Sequence, residues 1–268
     1  MKLGVIGAGG RMGCSVIRQI SKTDGCRLLG ACDLPGSKVL GRDAGEFAGV
    51  GELDVEIQDR PEVFINHIDA VIEFSSPEAT VKNSGLSAEA GCAHVIGTTG
   101  LTRDQELTMG QAAQSIPIIY APNMSLAVNI LFALTRQVSS ILGDEFDIEV
   151  LEMHHRNKVD APSGTALGLG RAAAEGRNVS LDENAVFTRS GLTGPRRQGD
   201  IGFATLRGGS VTGDHAVIFA ADGERLELFH RAENRQIFAR GAVRAAMWSD
   251  GKGPGLYSMA DVLGLNSS

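Results

Sequence analysis

The stretch Lys2-Leu3-Gly4-Val5-Ile6-Gly7-Ala8-Gly9-Gly10-Arg11-Met12-Gly13 decides the fold. Its apolar start reads as a buried strand, and the glycines that follow at once read as a tight turn. Met12, Val16 and Ile20 then recur at i, i+4, with Ile17 beside them, which is the period of an amphipathic helix. Arg27 to Cys32 reads as a second strand that ends on Asp33. Strand, glycine turn, helix, strand is the opening of a doubly wound parallel sheet.

In such a turn glycine lets the chain bend sharply and lets a pyrophosphate reach amide groups at a helix N-terminus. The usual spacing is Gly-x-Gly-x-x-Gly. Here Met12 occupies the third glycine's slot, and the close-packing glycine falls one residue later, at Gly13. Gly7, Ala8, Gly9, Gly10, Arg11 and Met12 are the candidate cofactor residues of this turn. Asp33 can accept from both ribose hydroxyls, which favours NADH. NADPH calls for a basic residue near its 2'-phosphate, and the next residues are Leu34 and Pro35. Arg11 could still contact a phosphate, so use of NADPH stays open.

Further strands read at Ala70 to Phe74, His94 to Ile96 and Ile116 to Tyr120, ending in Ser75-Ser76-Pro77, Gly97-Thr98-Thr99-Gly100 and Ala121-Pro122-Asn123-Met124-Ser125. Small polar residues at successive strand ends mark where an open parallel sheet binds ligands. Pro77 suits the first turn of a helix. The glycine-rich stretch 34–51 lacks periodicity and reads as an irregular excursion. After residue 125 the texture changes. Val128 to Leu142 reads as a long helix, and Phe146 to Met153 alternates, with Phe146, Ile148, Val150 and Glu152 on one face. A helix follows Pro162. Strands at 201–206 and 211–219 and an Asp222-Gly223 hairpin follow, then a helix over 231–248. The expected architecture is α/β: a Rossmann-like doubly wound parallel sheet with a second α+β domain on a mixed sheet. The dinucleotide-binding domain would span 1–125, completed by 236–268. The substrate-binding and oligomerisation domain would span 126–235.

Composition sets the outer limits. An apolar share of 43% and a charged share of 21% over 268 residues suit a globular protein with one or two cores. A net charge of -7 opposes general binding to nucleic acid or to an anionic membrane, so neither is an expected partner. The four cysteines, Cys14, Cys26, Cys32 and Cys92, form no CxxC and no zinc spacing, so no metal site is expected. The start of the chain reads as a strand rather than a signal peptide, and no run of roughly eighteen apolar residues is present, so a cytoplasmic setting is expected.

Residues 152–166 read Glu-Met-His-His-Arg-Asn-Lys-Val-Asp-Ala-Pro-Ser-Gly-Thr-Ala. Together with the glycine turn, Gly97-Thr98-Thr99 and Ala121 to Ser125, this segment resembles the dihydrodipicolinate reductase family, and the resemblance covers essentially the whole chain. It implies reduction of 4-hydroxy-tetrahydrodipicolinate with NADH or NADPH in lysine and diaminopimelate biosynthesis. It implies that Gly97, Thr98 and Thr99 line the nicotinamide, and that Ala121, Pro122, Asn123 and Met124 close over its ring and amide. It implies His154 and Lys158 as the acid–base pair, with His155, Lys158, Gly164 and Thr165 holding the substrate carboxylates. It also implies a homotetramer. Two positions depart from the family pattern: Leu34 stands where an arginine often follows the ribose-binding acid, and Ser76 stands where a basic residue can occur. Both departures weaken the case for NADPH.

The residues themselves suit that chemistry. A cyclic imine dicarboxylate demands cations and backbone donors, and His154, His155, Arg156 and Lys158 fall within five residues. Pro162 is suited to the first helical position, which would direct the amides of Gly164 and Thr165 at a carboxylate. A histidine titrating near neutrality suits a proton donor, and a lysine can polarise the imine or anchor charge. Arg156, Arg189, Arg196, Arg197 and Arg207 read as surface charge, and His215 and His230 as structural or interface residues. Competing readings are an aspartate-semialdehyde or homoserine dehydrogenase, the former needing a nucleophilic cysteine for which Cys92 is the candidate, and an NADH-binding regulator, which would need a basic nucleic-acid-binding element.

Overall fold

At Gly7, Gly9 and Gly13 of the opening turn, another part of the chain sits where a side chain would go. In the computed structural model, which describes residues 1–265, β1 (Lys2–Ile6) leads through the turn into α1 (Arg11–Ile20) and β2 (Arg27–Cys32). Gly7 has φ +82°, and a Cβ there would lie 2.3 Å from the Phe74 carbonyl oxygen. At Gly13 a Cβ would lie 2.2 Å from the Gly7 carbonyl oxygen and 2.7 Å from Ala8 Cα, so α1 can approach β1 only with glycine at that position. The shifted third glycine of the sequence pattern is thus the close-packing one.

The chain continues through α2 (Ala44–Ala48), β3 (Ile57–Gln58), β4 (Ala70–Glu73), α3 (Pro77–Ala90), β5 (Ala93–Ile96), α4 (Arg103–Ala112) and β6 (Pro117–Tyr120). The stretch read as an irregular excursion does contain a helix. Asp43 starts α2 by accepting from the Gly45 and Glu46 amides. Pro77 opens α3 behind a Ser76 cap, as its position in the sequence suggests. α4 escaped the sequence reading although Thr102 and Gln105 form a capping box at its start.

The chain divides into two compact units, one of Met1–Leu126 plus the segment from Arg235 onward, the other Ala127–Asn234. Within the second, α5 (Leu126–Leu142) precedes β7 (Asp147–His154), α6 (Gly164–Arg177), α7 (Leu181–Asn184), β8 (Ala185–Val186), β9 (Ile201–Arg207), β10 (Gly213–Ala221) and β11 (Glu224–Ala232). These five strands form one mixed sheet in the order β11-β10-β7-β9-β8. β7 runs antiparallel to β10 and parallel to β9. Asp222-Gly223 joins β10 to β11 as the two-residue turn expected of it. The helix expected from 231 starts only at Gln236, because β11 runs on to Ala232.

β7 alternates strictly. Ile148, Val150, Glu152 and His154 are buried, while Asp147, Glu149, Leu151 and Met153 are half-exposed. The buried face carries a core in which Ile148, Val150, Phe203, Val217 and Phe219 join Leu131 of α5 and Ala166, Leu169 and Ala173 of α6. α5 is long and apolar enough to cross a membrane by length and composition, but Asn129, Arg136 and Gln137 interrupt it and Leu131 belongs to this core. Glycine lets α5 and α6 meet: a Cβ on Gly176 would fall 2.3 Å from the Arg136 carbonyl oxygen. The other face of the sheet has no helix of this unit among its core residues. Leu151 pairs with Ala216, which pairs with Phe229, and Met153 pairs with Leu206. Leu206 and Phe229 are about half exposed, 47% and 48%.

The chain then returns to the first unit through α8 (Gln236–Trp248), β12 (Gly255–Tyr257) and α9 (Met259–Leu263). Of the expected segment 236–268, residues 266–268 lie outside the described residues. The first sheet has seven parallel strands in the order β12-β6-β5-β4-β1-β2-β3, the Rossmann-like arrangement, with β12 as an edge strand the sequence reading did not find. α8 packs beside α1, with Ala239, Ala242, Val243 and Ala246 in the same core as Val16, Ile17 and Ile20. Gly241 lets α8 pass the Met124 carbonyl oxygen, which a Cβ would approach to 1.7 Å.

Gly13→Ala forces α1 away from the turn. We expect a loss of about 1–3 kcal/mol in unfolding free energy, checked by urea titration, together with weakened dinucleotide binding in a fluorescence titration.

Candidate functional site

The first of two residue clusters surrounds the glycine turn. α1 begins at Arg11 with Gly10 as its N-cap, and no side chain caps it. The first amides are thus not taken up by a capping side chain, as an anion-binding helix start requires. Arg11 is exposed, Met12 half-buried and Ala8 buried. Asp33 stands above the turn: a Cβ on Gly9 would fall 2.1 Å from Asp33 Oδ2. That carboxylate also accepts from the Leu34 amide at 2.9 Å and from Ser37 Oγ at 3.0 Å. Glycine at 7, 9 and 13 thus lets Phe74, Asp33 and α1 close in on the turn, with an acid beside the uncapped helix start. The fit to a nicotinamide dinucleotide rests on these features.

The strand ends of the same unit carry the other candidate cofactor residues. Thr98 is buried and its Oγ1 accepts from the Ser75 amide at 3.0 Å, while Gly97 and Thr99 lie beside it at the end of β5. A Cβ at Gly97 would run into the Phe74 ring, 2.1 Å from Cε1. Ala121 and Met124 are buried after β6, Pro122 is exposed, and Asn123 Oδ1 accepts from the Ser125 amide at 2.9 Å.

The second cluster lies in the second unit, where β7 ends and α6 begins. Glu152 is 1% exposed and binds four donors. Its Oε1 accepts from the Ser163 amide at 3.0 Å and from Arg207 Nη2 at 2.9 Å. Its Oε2 meets Arg207 Nη1 at 2.8 Å and His154 Nδ1 at 2.6 Å. Arg207, His154 and the Ser163 amide hold the Glu152 carboxyl below its ordinary range against the opposing effect of burial. His154 is pushed the other way. Burial lowers its pKa, Glu152 opposes this, and Lys158 and Arg207 add to it. His215 makes an edge contact with the His154 ring at 5.1 Å and shares a hydrogen bond with Ser163 Oγ at 3.2 Å. Burial brings His215 down to about 3.

Lys158 follows in the loop, its Nζ donating to both Asp160 oxygens at 2.8 and 2.9 Å. Its ammonium is therefore neutralised locally by Asp160 while still opposing protonation of His154. His155 is half-buried beside it. Pro162 does not open the helix as the sequence suggested. Ser163 is the N-cap of α6, its Oγ accepting from the Ala166 amide at 3.2 Å, which places Gly164 and Thr165 in the first turn. The Ser163 amide on Glu152 ties that helix start to the strand carrying His154.

Arg207, read from the sequence as surface charge, belongs to this cluster. It ends β9, opposite His154 in register, and also donates to the Asp160 carbonyl at 2.7 Å. Glu152 was visible as a carboxylate in phase with Ile148 and Val150, and an acid on a core face demands a cation; that signal pointed to a partner without naming it. Three of the other arginines read as surface charge are engaged by acids: Arg189 binds Glu149, Arg196 binds Asp147 and Glu149, and Arg197 binds Asp200. Cys92 is buried and its thiol is pushed up to about 12 by burial, which removes the nucleophile a semialdehyde dehydrogenase would need.

Residues 1–124 match the model of the dihydrodipicolinate reductase N-terminus, and residues 127–263 that of the dihydrodipicolinate reductase C-terminus. The chain belongs to the dihydrodipicolinate reductase family. It is 55% identical over all of both chains to a 4-hydroxy-tetrahydrodipicolinate reductase of Brucella abortus. It is 53% identical to one of Afipia carboxidovorans, over all of this chain and 98% of that one. A dipicolinate-bound dihydrodipicolinate reductase from Paenisporosarcina sp. TG-14 shares the fold, with a TM-score of 0.75 at 22% identity over 97% of this chain and 98% of that one. Membership of the dihydrodipicolinate reductase family makes the chain an oxidoreductase with a Rossmann-type site for NAD(P)H.

His154, His215 and His230 all have lowered pKa values. Unfolded histidines titrate near 6.5, so below that pH the unfolded chain takes up protons that the fold refuses. Stability is present above about 6.5 and falls as the pH drops. His215 alone contributes a loss of about 2 kcal/mol between pH 6.5 and 5. Urea unfolding at the two pH values should show this loss, and His215→Gln should reduce it.

Proposed function

We propose that this chain reduces 4-hydroxy-tetrahydrodipicolinate to tetrahydrodipicolinate with NADH or NADPH, in lysine and diaminopimelate biosynthesis in the cytoplasm, and that His154 and Lys158 carry its acid–base chemistry. The observation that carries this reading is the joining of β7 to the start of α6 through Glu152. It gathers a histidine, a lysine and a helix N-terminus at one place in the second unit.

His155, Lys158, Gly164 and Thr165 hold the two substrate carboxylates. Gly164 and Thr165 stand where the dipole of α6 favours an anion, and glycine at 164 has open space around it, which admits a close ligand. Lys158 exchanges part of its contact with Asp160 for a carboxylate of the substrate. The 4-hydroxyl leaves as water with a hydrogen of the neighbouring ring carbon; the dinucleotide, when bound, would supply a hydride to C4 of the conjugated imine so formed, and the displaced electron pair, shared by the ring nitrogen and that neighbouring carbon, takes up one proton. The chain's task is to supply the proton that balances the added electron pair. His154 supplies it. Burial, Lys158 and Arg207 keep His154 neutral in the free protein, and two incoming carboxylates offset those cations and favour its protonated form.

In the first unit, Gly7, Ala8, Gly9, Gly10, Arg11 and Met12 hold the pyrophosphate, with Asp33 on the adenosine ribose. Gly97, Thr98, Thr99, Ala121, Pro122, Asn123 and Met124 hold the nicotinamide. Asp33 followed by Leu34 and Pro35 favours NADH, since a carboxylate accepts from a ribose hydroxyl and repels a 2'-phosphate. The half-exposed face bearing Leu151, Met153, Leu206 and Phe229 is where copies of the chain join into a homotetramer.

The test is nicotinamide oxidation followed by absorbance with freshly generated cyclic imine. His154→Ala and Lys158→Ala should each lower kcat by roughly 10²–10⁴-fold. Asp33→Ala should weaken NADH more than NADPH. Nicotinamide binding without turnover of the imine by the wild type would sink the substrate assignment. Separately, Leu206→Glu should shift the mass seen by light scattering from four copies towards smaller species. An unchanged mass would remove this face from the interface.

A further inference from the structure

We propose that Glu152 and Arg207 are positioning residues for proton delivery: the carboxylate, held by the guanidinium, fixes His154 with its hydrogen on Nδ1 and leaves Nε2 as the nitrogen that exchanges the proton. This rests on the reading of His154 as the proton donor.

The argument begins with donors and acceptors. Three of the four atoms meeting Glu152 can only donate, the Ser163 amide and two nitrogens of Arg207, and the fourth is His154 Nδ1. A carboxylate so surrounded is ionised and can only accept, so His154 Nδ1 must carry hydrogen. The 2.6 Å contact is of the short, charge-assisted kind. Nε2 is then the only ring nitrogen left for exchange. It lies beside Gly213, where a Cβ would come within 3.0 Å of it. Glycine there keeps that edge of the ring clear.

The charges around His154 come from every neighbouring element. Glu152 lies on its own strand, Arg207 on β9, His215 on β10, and Lys158 with its partner Asp160 in the following loop. His230 on β11 lies across from His215. Glu152 favours the imidazolium and Arg207 opposes it. Arg207 is needed all the same, because its two bonds aim the buried acid, which the Ser163 amide and the ring itself also hold. The pair therefore sets both the tautomer and the charge of the ring.

Glu152→Gln tests this with almost no change of shape. Its amide nitrogen must take one of the two oxygen positions. At the Oε1 position it would face the Ser163 amide, which cannot accept. Either position also meets an Arg207 nitrogen that can only donate, but at the Oε2 position the second neighbour is the His154 ring, which can accept once its hydrogen moves to Nε2, so that position carries one donor clash where Oε1 carries two. The substitution therefore drives the ring to the other tautomer, and an added ring proton at Nδ1 would then meet a donor.

We expect kcat at neutral pH to fall about 100-fold or more, with KM for the imine within severalfold. The limb of the kcat profile set by the protonated donor should move to lower pH. Nitrogen NMR of ring-labelled histidines in the full chain, with His154→Gln assigning the signal, should show hydrogen on Nδ1 in the wild type and on Nε2 in Glu152→Gln. Arg207→Met, which fills a similar volume, should move the same limb to higher pH. That opposite shift is one a merely structural role would not produce, and it keeps the idea testable if Glu152→Gln fails to fold. An unmoved tautomer and an unmoved pH limb would overturn the positioning role and leave His154 as donor. A switched tautomer with undiminished turnover would overturn it too, and the donor role of His154 with it.

Discussion

A carboxylate in a protein core has to be surrounded by donors, and in the second unit that demand organises the site. Glu152 sits on the face of β7 that also carries Ile148 and Val150. Left unpaired, its charge would cost several kcal/mol. The fold answers with a guanidinium from β9, an amide from the start of α6 and a ring nitrogen two residues along its own strand. Three separate elements are thereby fixed at one point. The basic segment 154–158 and the first turn of α6 are neighbours because both are tied to this acid.

The first unit meets a similar demand at its own strand ends. Glu73, the last residue of β4, lies 2.9 Å from His94 near the start of β5, and both are fully buried. Asn83 donates to the other Glu73 oxygen at 2.7 Å, and Ser87 shares a hydrogen bond with His94 Nδ1. In both units an acid is buried where a strand ends, Glu73 of β4 and Glu152 of β7, and hydrogen bonds to it restrict the residues that follow, Ser75 and Ser163, more than apolar packing would. The glycine turn solves the opposite problem. It needs closeness without side chains, and glycine at 7, 9 and 13 removes atoms that would collide with Phe74, Asp33 and the turn itself.

Much of this was legible in the sequence because it is local. The strand–turn–helix opening, the Asp222-Gly223 hairpin and the alternation of β7 are patterns within a dozen residues, and the structure contains each. What escaped is short or non-local. β12 is three residues with a glycine at its start, too brief to show a period, and it exists only because the edge of β6 is there to pair with. β11 runs into the stretch read as the start of a helix because pairing with β10 continues through Gly213↔Ala232. In the site, the candidates on one continuous segment could be read together. Arg207 could not, since only the parallel pairing of β9 with β7 brings it opposite His154. The role of Ser163 was obscured by Pro162, which looked like a helix start and instead precedes the capping residue.

The two faces of β7 show why register matters more here than any single contact. Side chains alternate with a period of two, so a slip of one residue would send Glu152 and His154 outward and turn Glu149 and Leu151 into the core. Gly202 guards against this slip. It pairs with Glu149, and a Cβ on it would fall 2.0 Å from a Glu149 carboxylate oxygen, so the acid lies flat across the glycine. Arg189 and Arg196 then hold Glu149 from the loop that precedes β9. These arginines look like loose surface charge in the sequence, yet they fasten the outer acid of β7 much as Arg207 fastens the inner one. With both acids engaged on opposite faces, a slipped strand would leave one carboxylate buried without its cation and the other without its glycine. The register that presents His154 is thus specified by charge as well as by apolar burial.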